Sequence, residues 1–141
     1  MTTLKQLLSG SSPTNVLTTA LNSLADGSGA ESSSIDLGTP TPFALVIDAV
    51  VAGASASAVD LCELWLLWSI DNTNFSTFTT GGPNAQLVGT IDCDGTTAAR
   101  KVFQVPISAR YAKIRLQNES ADALASSGNV VGYITVSVDA T

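Results

Sequence analysis

The stretch DLCELWLLWSID, Asp60 to Asp71, decides the fold. Within it Cys62, Leu64, Leu66, Trp68 and Ile70 recur at every second position and form one wholly apolar face. Leu61, Glu63, Trp65, Leu67 and Ser69 form the alternate, mixed face, so Trp65 and Leu67 are expected to look outward. A period of two marks a strand with one buried side, because successive side chains leave a pleated strand on opposite faces.

The same period extends to either side. Upstream, Phe43, Leu45, Ile47, Ala49 and Val51 alternate with Ala44, Val46, Asp48 and Val50. Downstream, strands are expected from Gln86 to Ile91, Arg100 to Val105, Tyr111 to Gln117 and Val130 to Val138. Turn residues separate these runs: Gly53 to Ser57, Gly81-Gly82-Pro83-Asn84, Asp94-Gly95 and Ser127-Gly128-Asn129. Short strands spaced about ten residues apart predict an all-β chain folded as an antiparallel two-sheet sandwich. Residues 1–13 read as a short N-terminal arm and residues 14–141 as a single sandwich domain. Between Pro13 and Gly27, Leu17, Ala20, Leu21 and Leu24 fall at helical spacing, but Asn15, Thr18, Thr19 and Asn22 weaken a helix. A helix and an irregular first strand both fit that segment.

Function in such a fold sits on a sheet face, an edge or the end loops. From Tyr111 to Gln117, Ala112, Ile114 and Leu116 take the core side, which leaves Tyr111, Lys113, Arg115 and Gln117 in an outward row. On the last strand Val130, Ile134, Val136 and Val138 are expected inside, and Val131, Tyr133, Thr135 and Ser137 outside. Tyr, Trp and Arg are enriched at interface hot spots. The candidate contact residues are therefore Trp65, Leu67, Tyr111, Lys113, Arg115, Val131 and Tyr133. The competing reading is that these residues cover a sheet whose other layer is a loop.

Composition narrows the chemistry. The 141 residues hold 12 acidic and 6 basic side chains, a net charge of −6, and no histidine. Without histidine the usual general base of Ser-His-Asp and Cys-His catalysis is missing, as is the commonest metal ligand. Charged residues make up 13% of the chain, against about 25% in ordinary soluble domains. A folded domain of this mass exposes about 6,800 Å² by the usual scaling, so its surface must be largely hydroxyl and apolar. Such a surface suits contact with other proteins better than free solution. Five of the six bases lie in residues 100–141, yet no dense basic run exists, which argues against nucleic acid as a partner. The longest apolar runs are far short of the ~20 residues that span a bilayer, and no secretory leader is legible, so no membrane partner is expected. Cys62 and Cys93 are expected as reduced, packed side chains.

Reactive motifs mostly fail. Asp92-Cys93-Asp94-Gly95 opens like a calcium loop, but its glycine falls in the wrong place and no twelfth-position Glu follows. Asp71-Asn72-Thr73-Asn74 reads as an Asx-rich hairpin turn before it reads as a cation site. Gly81-Gly82-Pro83 lacks the Lys of a phosphate loop. Asp48, Asp60 and Glu63 lie on strands with no spacing that pairs them for glycosidase chemistry. No enzyme activity, catalytic residue, cofactor or metal is expected.

Two segments carry a resemblance. Leu64-Trp65-Leu66-Leu67-Trp68-Ser69-Ile70-Asp71-Asn72-Thr73-Asn74-Phe75, followed by Ser108-Ala109-Arg110-Tyr111-Ala112-Lys113-Ile114-Arg115-Leu116-Gln117-Asn118, resembles small jelly-roll structural proteins of tailed bacteriophages. In those proteins a long strand ends in a Ser-x-Asp-x-x-Asn-aromatic hairpin and a later strand reads Arg-Tyr-x-x-Ile-Arg. The segment from Leu17 to Gly27 is similar to the start of such proteins. The resemblance implies a jelly-roll sandwich and a capsid decoration, or cement, protein located in the virion. Its implied partners are the major capsid protein and further copies of itself, most simply as a homotrimer. A tail or head-to-tail connector component belongs to the same class. The same segments also resemble discoidin-type carbohydrate-binding jelly rolls, for which Phe75 and Phe78 are the aromatics near a loop.

Overall fold

The computed structural model describes residues 4–10, 12–53, 61–79, 84–93 and 97–140, with side chains from Leu7 to Val138. The described residues form ten strands: β1 Leu4–Leu8, β2 Thr14–Leu17, β3 Gly29–Glu31, β4 Ile35–Asp36, β5 Ala44–Val51, β6 Leu61–Ser69, β7 Gln86–Asp92, β8 Ala99–Pro106, β9 Tyr111–Glu119 and β10 Val130–Ala140. Every pairing between them is antiparallel. The first sheet has the order β1-β10-β5-β8, with β2 also paired to β10. The second has the order β3-β9-β6-β7, with β4 also paired to β9. After β4 the chain crosses from one sheet to the other at every connection except the β6–β7 hairpin. That alternation between two sheets, with β1/β2 and β3/β4 each acting as one broken strand, is the jelly-roll arrangement.

The sandwich interior follows from the alternation in β5, β6 and β9. Leu45, Ile47, Ala49 and Val51 line the first sheet's inner face. Cys62, Leu64, Leu66, Ala112, Ile114 and Leu116 line the second, and all ten are buried. Antiparallel register puts like with like: Leu64 lies opposite Leu116 and Leu66 opposite Ile114. At ~25 cal/mol per Å² of apolar surface removed from water, these facing rows dominate the stability of the fold.

The segment after Pro13 is neither a helix nor one strand. β2 pairs with β10 and gives way to a single 3-10 turn over Thr19–Leu21. Pairing with β10 satisfies the backbone that a helix would otherwise use, while Leu17 and Leu21 still reach the core. In the segment read as an arm, Leu4–Leu8 is a strand of the first sheet, in register with Val136–Ala140 of the same chain. The expected turns at residues 54–57, 81–83 and 94–95 lie outside the described residues.

The last strand corrects the sequence reading. Its inner face carries Val131 and Tyr133, which lie opposite the buried Ala49 and Ile47. Val130, Ile134, Val136 and Val138 are on the outer face, the reverse of the expectation. Both faces of β10 are apolar, so alternation alone could not orient it, and pairing with β5 decides. Ile70 is a second correction: β6 ends at Ser69, and Ile70 sits in the following turn, 84% exposed.

Candidate functional site

The second sheet's outer face holds most of the residues singled out above. Trp65, Leu67 and Ser69 of β6 lie opposite Arg115, Lys113 and Tyr111 of β9, so the sheet does bring the row together. That face is covered by the chain that follows β6. Ser76 returns beside Trp68, donating its backbone N–H to the Trp68 carbonyl at 3.0 Å and accepting the Trp68 N–H on its hydroxyl at 3.0 Å. The Phe78 ring then meets Trp65 edge-on with centroids 5.2 Å apart, and the Arg115 guanidinium lies 4.2 Å over it. Lys113 Nζ sits 4.6 Å from the Phe75 ring centre.

Beneath the cover most of the polar groups are paired within the chain, while among the described residues Arg115 Nε is buried without a partner. Arg115 donates to Glu31 Oε1 at 3.0 Å and to Gln117 Oε1 at 2.7 Å. Gln117 Nε2 donates in turn to the Gly27 carbonyl and to Glu119, both at 2.9 Å. A Cβ at Gly29 would lie 2.3 Å from the Arg115 guanidinium, so glycine there makes room for this network. Trp65 Nε1 donates to Glu63 at 2.9 Å. Arg110 makes two hydrogen bonds to Asp36, at 3.0 and 3.1 Å, while lying 5.1 Å from the Tyr111 ring.

Leu67 and Val131 do not present an exposed surface. Leu67 is 4% exposed, because the returning loop closes over the face it points from. Val131 is fully buried in the core. Tyr133 is half-buried and lines a cleft of about 320 Å³ with Asn15, Val16, Ser33, Ser34, Ile35 and Asp36, where burial pushes its phenol above the ordinary value. Of the seven candidates, Trp65, Lys113 and Arg115 thus act as seats for the chain's own aromatic rings.

The more open apolar surface is on the other sheet. Register places Val46, Asp48 and Val50 of β5, Val130, Gly132, Ile134 and Val136 of β10, and Gln104, Val102 and Arg100 of β8 on the first sheet's outer face, although Gly132 and Val136 are buried there. Leu8 and Val138 extend it across β1, and Val102, Val138 and Leu8 are 57%, 51% and 60% exposed. Among the described residues its charges are Asp48 and Arg100, which neutralise one another: Arg100 donates to both Asp48 oxygens, at 2.8 and 2.7 Å. A cleft of about 180 Å³ opens there between Pro13, Val46, Asp48, Arg100, Val102 and Ile134. Gly132 makes room for the chain that crosses this face, since a Cβ would come within 2.8 Å of Pro13 and 2.9 Å of Asn15 Oδ1. Val and Ile are common in strands, so no periodicity signal separated this face from the core.

The remaining chemistry is structural. Asp71 accepts the backbone N–H groups of Thr73 and Asn74 at 2.9 and 2.8 Å, the Asn74 amide at 2.7 Å and the Ser69 hydroxyl at 2.9 Å. Those donors hold its carboxyl well below the usual carboxylate range, and they leave it as the cap of a tight turn. Cys62 and Cys93 are buried free thiols, and their mutual hydrogen bond together with burial pushes the Cys62 thiol up. Asp94 and Gly95 of the calcium-like loop lie outside the described residues. Among the described residues no group of three His, Cys, Asp or Glu side chains is placed to hold a metal ion. Nor is any helix among them long and apolar enough to cross a membrane.

The geometry thus defines a jelly-roll-like sandwich with one face covered by its own loop and one apolar face more open, with Val102, Val138 and Leu8 exposed on it. No family model matches the chain, and neither does any curated protein.

Proposed function

We propose that the chain is a non-enzymatic virion structural protein, a capsid decoration protein that binds the outside of a phage head shell in many copies. The observation that carries this reading is the open apolar face of the first sheet. Solitary soluble domains rarely leave a contiguous apolar patch of several hundred Å² uncovered, and such patches mark interaction sites. Here the apolar residues lie on a four-stranded face, exposed at Val102, Val138 and Leu8 and half-buried at Val46, Val50, Val130 and Ile134, and its ionic pair is satisfied internally. The low charge of the chain and its resemblance to phage jelly-roll proteins agree with the reading. A shell presents the same site many times, so weak contacts per copy add up through multivalency.

The test is the protein content of purified particles from the phage that encodes the chain. Stoichiometric copy number, with occupancy reduced by Val102→Asp, is the expected result. Absence of the protein from purified heads would sink the proposal.

A further inference from the structure

We infer that Cys62 and Cys93 close into an internal disulfide when the chain meets a small-molecule disulfide such as oxidised glutathione, fastening together the two ends of the segment that covers the second sheet. The inference does not depend on the virion reading.

Placement comes first. Cys62 of β6 lies opposite Ile91 of β7, and Cys93 follows Ile91 by two residues, so the three side chains share one face of the sheet. That face is the interior: all three belong to the core, and the two cysteines are free thiols. The thiols are hydrogen-bonded to one another. Cys62 Sγ also lies 3.8 Å from Asn118 Oδ1, and Cys93 Sγ 3.4 Å from the Ile91 carbonyl oxygen. Asn118 Oδ1 keeps the Ser120 backbone N–H as a donor at 3.0 Å, so loss of the Cys62 proton does not orphan it.

Reach and access are set by where the ladder stops. Diagonal neighbours in a regular antiparallel ladder have Cα atoms about 7–8 Å apart, and a disulfide asks for about 4.4–6.8 Å. The pairing of β6 with β7 ends at Leu61 and Asp92, one residue before Cys93. The backbone of Cys93 is therefore not held by the ladder, and a small shift brings it within range of Cys62. Strand β7 is also an edge of its sheet, and the ends of edge strands open at less cost than their centres. Asp92, next to Cys93, is already exposed.

The exchange balances. The hydrogen bond from Cys62 favours the thiolate of Cys93, which makes Cys93 the attacking sulfur. Attack on oxidised glutathione breaks its S–S bond, forms a mixed disulfide at Cys93 and releases one glutathione thiol with the Cys93 proton. The Cys62 sulfur then attacks the Cys93 sulfur, and the second glutathione leaves with the Cys62 proton. Two cysteines are oxidised and one glutathione disulfide is reduced to two thiols. A reducing compartment keeps the pair open, and an oxidising medium closes it. The closed loop contains Phe75 and Phe78, the rings of the cover, and restricting it in the unfolded chain favours the folded one.

The test incubates the purified full chain for several days with excess oxidised glutathione, then alkylates it in denaturant and measures its intact mass. The product is expected to lack two hydrogens, to take up no alkyl group and to remain a single chain without reductant. Its thermal midpoint should stand roughly 5 °C above that of the reduced chain, and dithiothreitol should reverse every change. Cys62→Ala should stop at one glutathione on Cys93 and show no rise in midpoint. Two alkylatable thiols after the incubation overturn the inference, as do glutathione retained on both cysteines or a bond between chains. The wild-type mass decides the matter even where the variant fails to fold.

Discussion

The two outer faces of the sandwich are built on opposite plans. The second sheet's carries Glu63, Lys113, Arg115, Gln117 and Glu119, and the chain folds its own loop over the aromatic and aliphatic groups among them. The first sheet's is Val- and Ile-rich, and among the described residues Pro13 and Asn15 reach over part of it. A domain built only to be stable in water would cover the more apolar face. The difference is instructive because covering is a local matter here. The β6–β7 connection starts on the second sheet, and Trp65 and Leu67 give its rings a seat beside the cations of β9. Among the described residues no comparable long connection lies above the first sheet.

The sharpest way to break the comparison is to place one carboxylate on each side of β10. Val131→Asp buries an unpaired charge in the core and is expected to cost about 3 to 5 kcal/mol, with loss of cooperative folding in thermal or urea unfolding. Val138→Asp, on the same strand but on the half-exposed outer face, should cost about 0.5 kcal/mol. Equal effects would mean that the strand's two faces have been assigned the wrong way round.

The cover itself is tested by smaller changes. Leu67→Ala should destabilise by about 2 to 3 kcal/mol if the loop truly buries Leu67, since that is the cost of a cavity rather than of an exposed methyl group. Phe78→Ala removes both the edge contact with Trp65 and the ring under Arg115, and about 1 kcal/mol is expected. Neither change should alter occupancy on purified heads, because neither touches the open face. Denaturant midpoints alongside particle occupancy check both statements.

How much of this was legible follows from where each residue's orientation is decided. Strands β6 and β9 read correctly because each has one face far more apolar than the other, β5 has only Asp48 to mark its outer side, and the sandwich follows from their spacing. β10 did not, because Val130, Val131, Ile134 and Val136 make both of its faces apolar, and only the pairing of Val131 with Ala49 settles the matter. Trp65 and Arg115 were singled out by residue type, and no local pattern shows that they pair across β6 and β9 or that Phe78 returns to lie between them. The open face stayed hidden for a related reason. Its residues look like core residues, and they become surface only once the fold exists.

The smallest expected effect concerns the turn that launches the cover. Asp71 lies at the head of the loop, its carboxylate accepting hydrogen bonds from Asn74, Thr73 and Ser69, which lowers its pKa from the ordinary 3.8. A carboxyl depressed in the folded state contributes stability that is fully present above its unfolded value and is lost as the pH falls through the folded one. Acidification below about pH 4 should therefore loosen the loop progressively, since a protonated Asp71 gives up acceptor strength to the two backbone N–H groups. Ring signals of Phe75 and Phe78 followed by NMR from neutral pH downward would report it, and Asp71→Asn should remove most of the pH-dependent part. Val102 and Ile134 on the other sheet provide the internal contrast, since no part of the loop rests on them. Methyl signals there that move together with the Phe78 ring would show that acid acts on the whole sandwich, and the distinction between a covered and an open face would then have no bearing on its acid response.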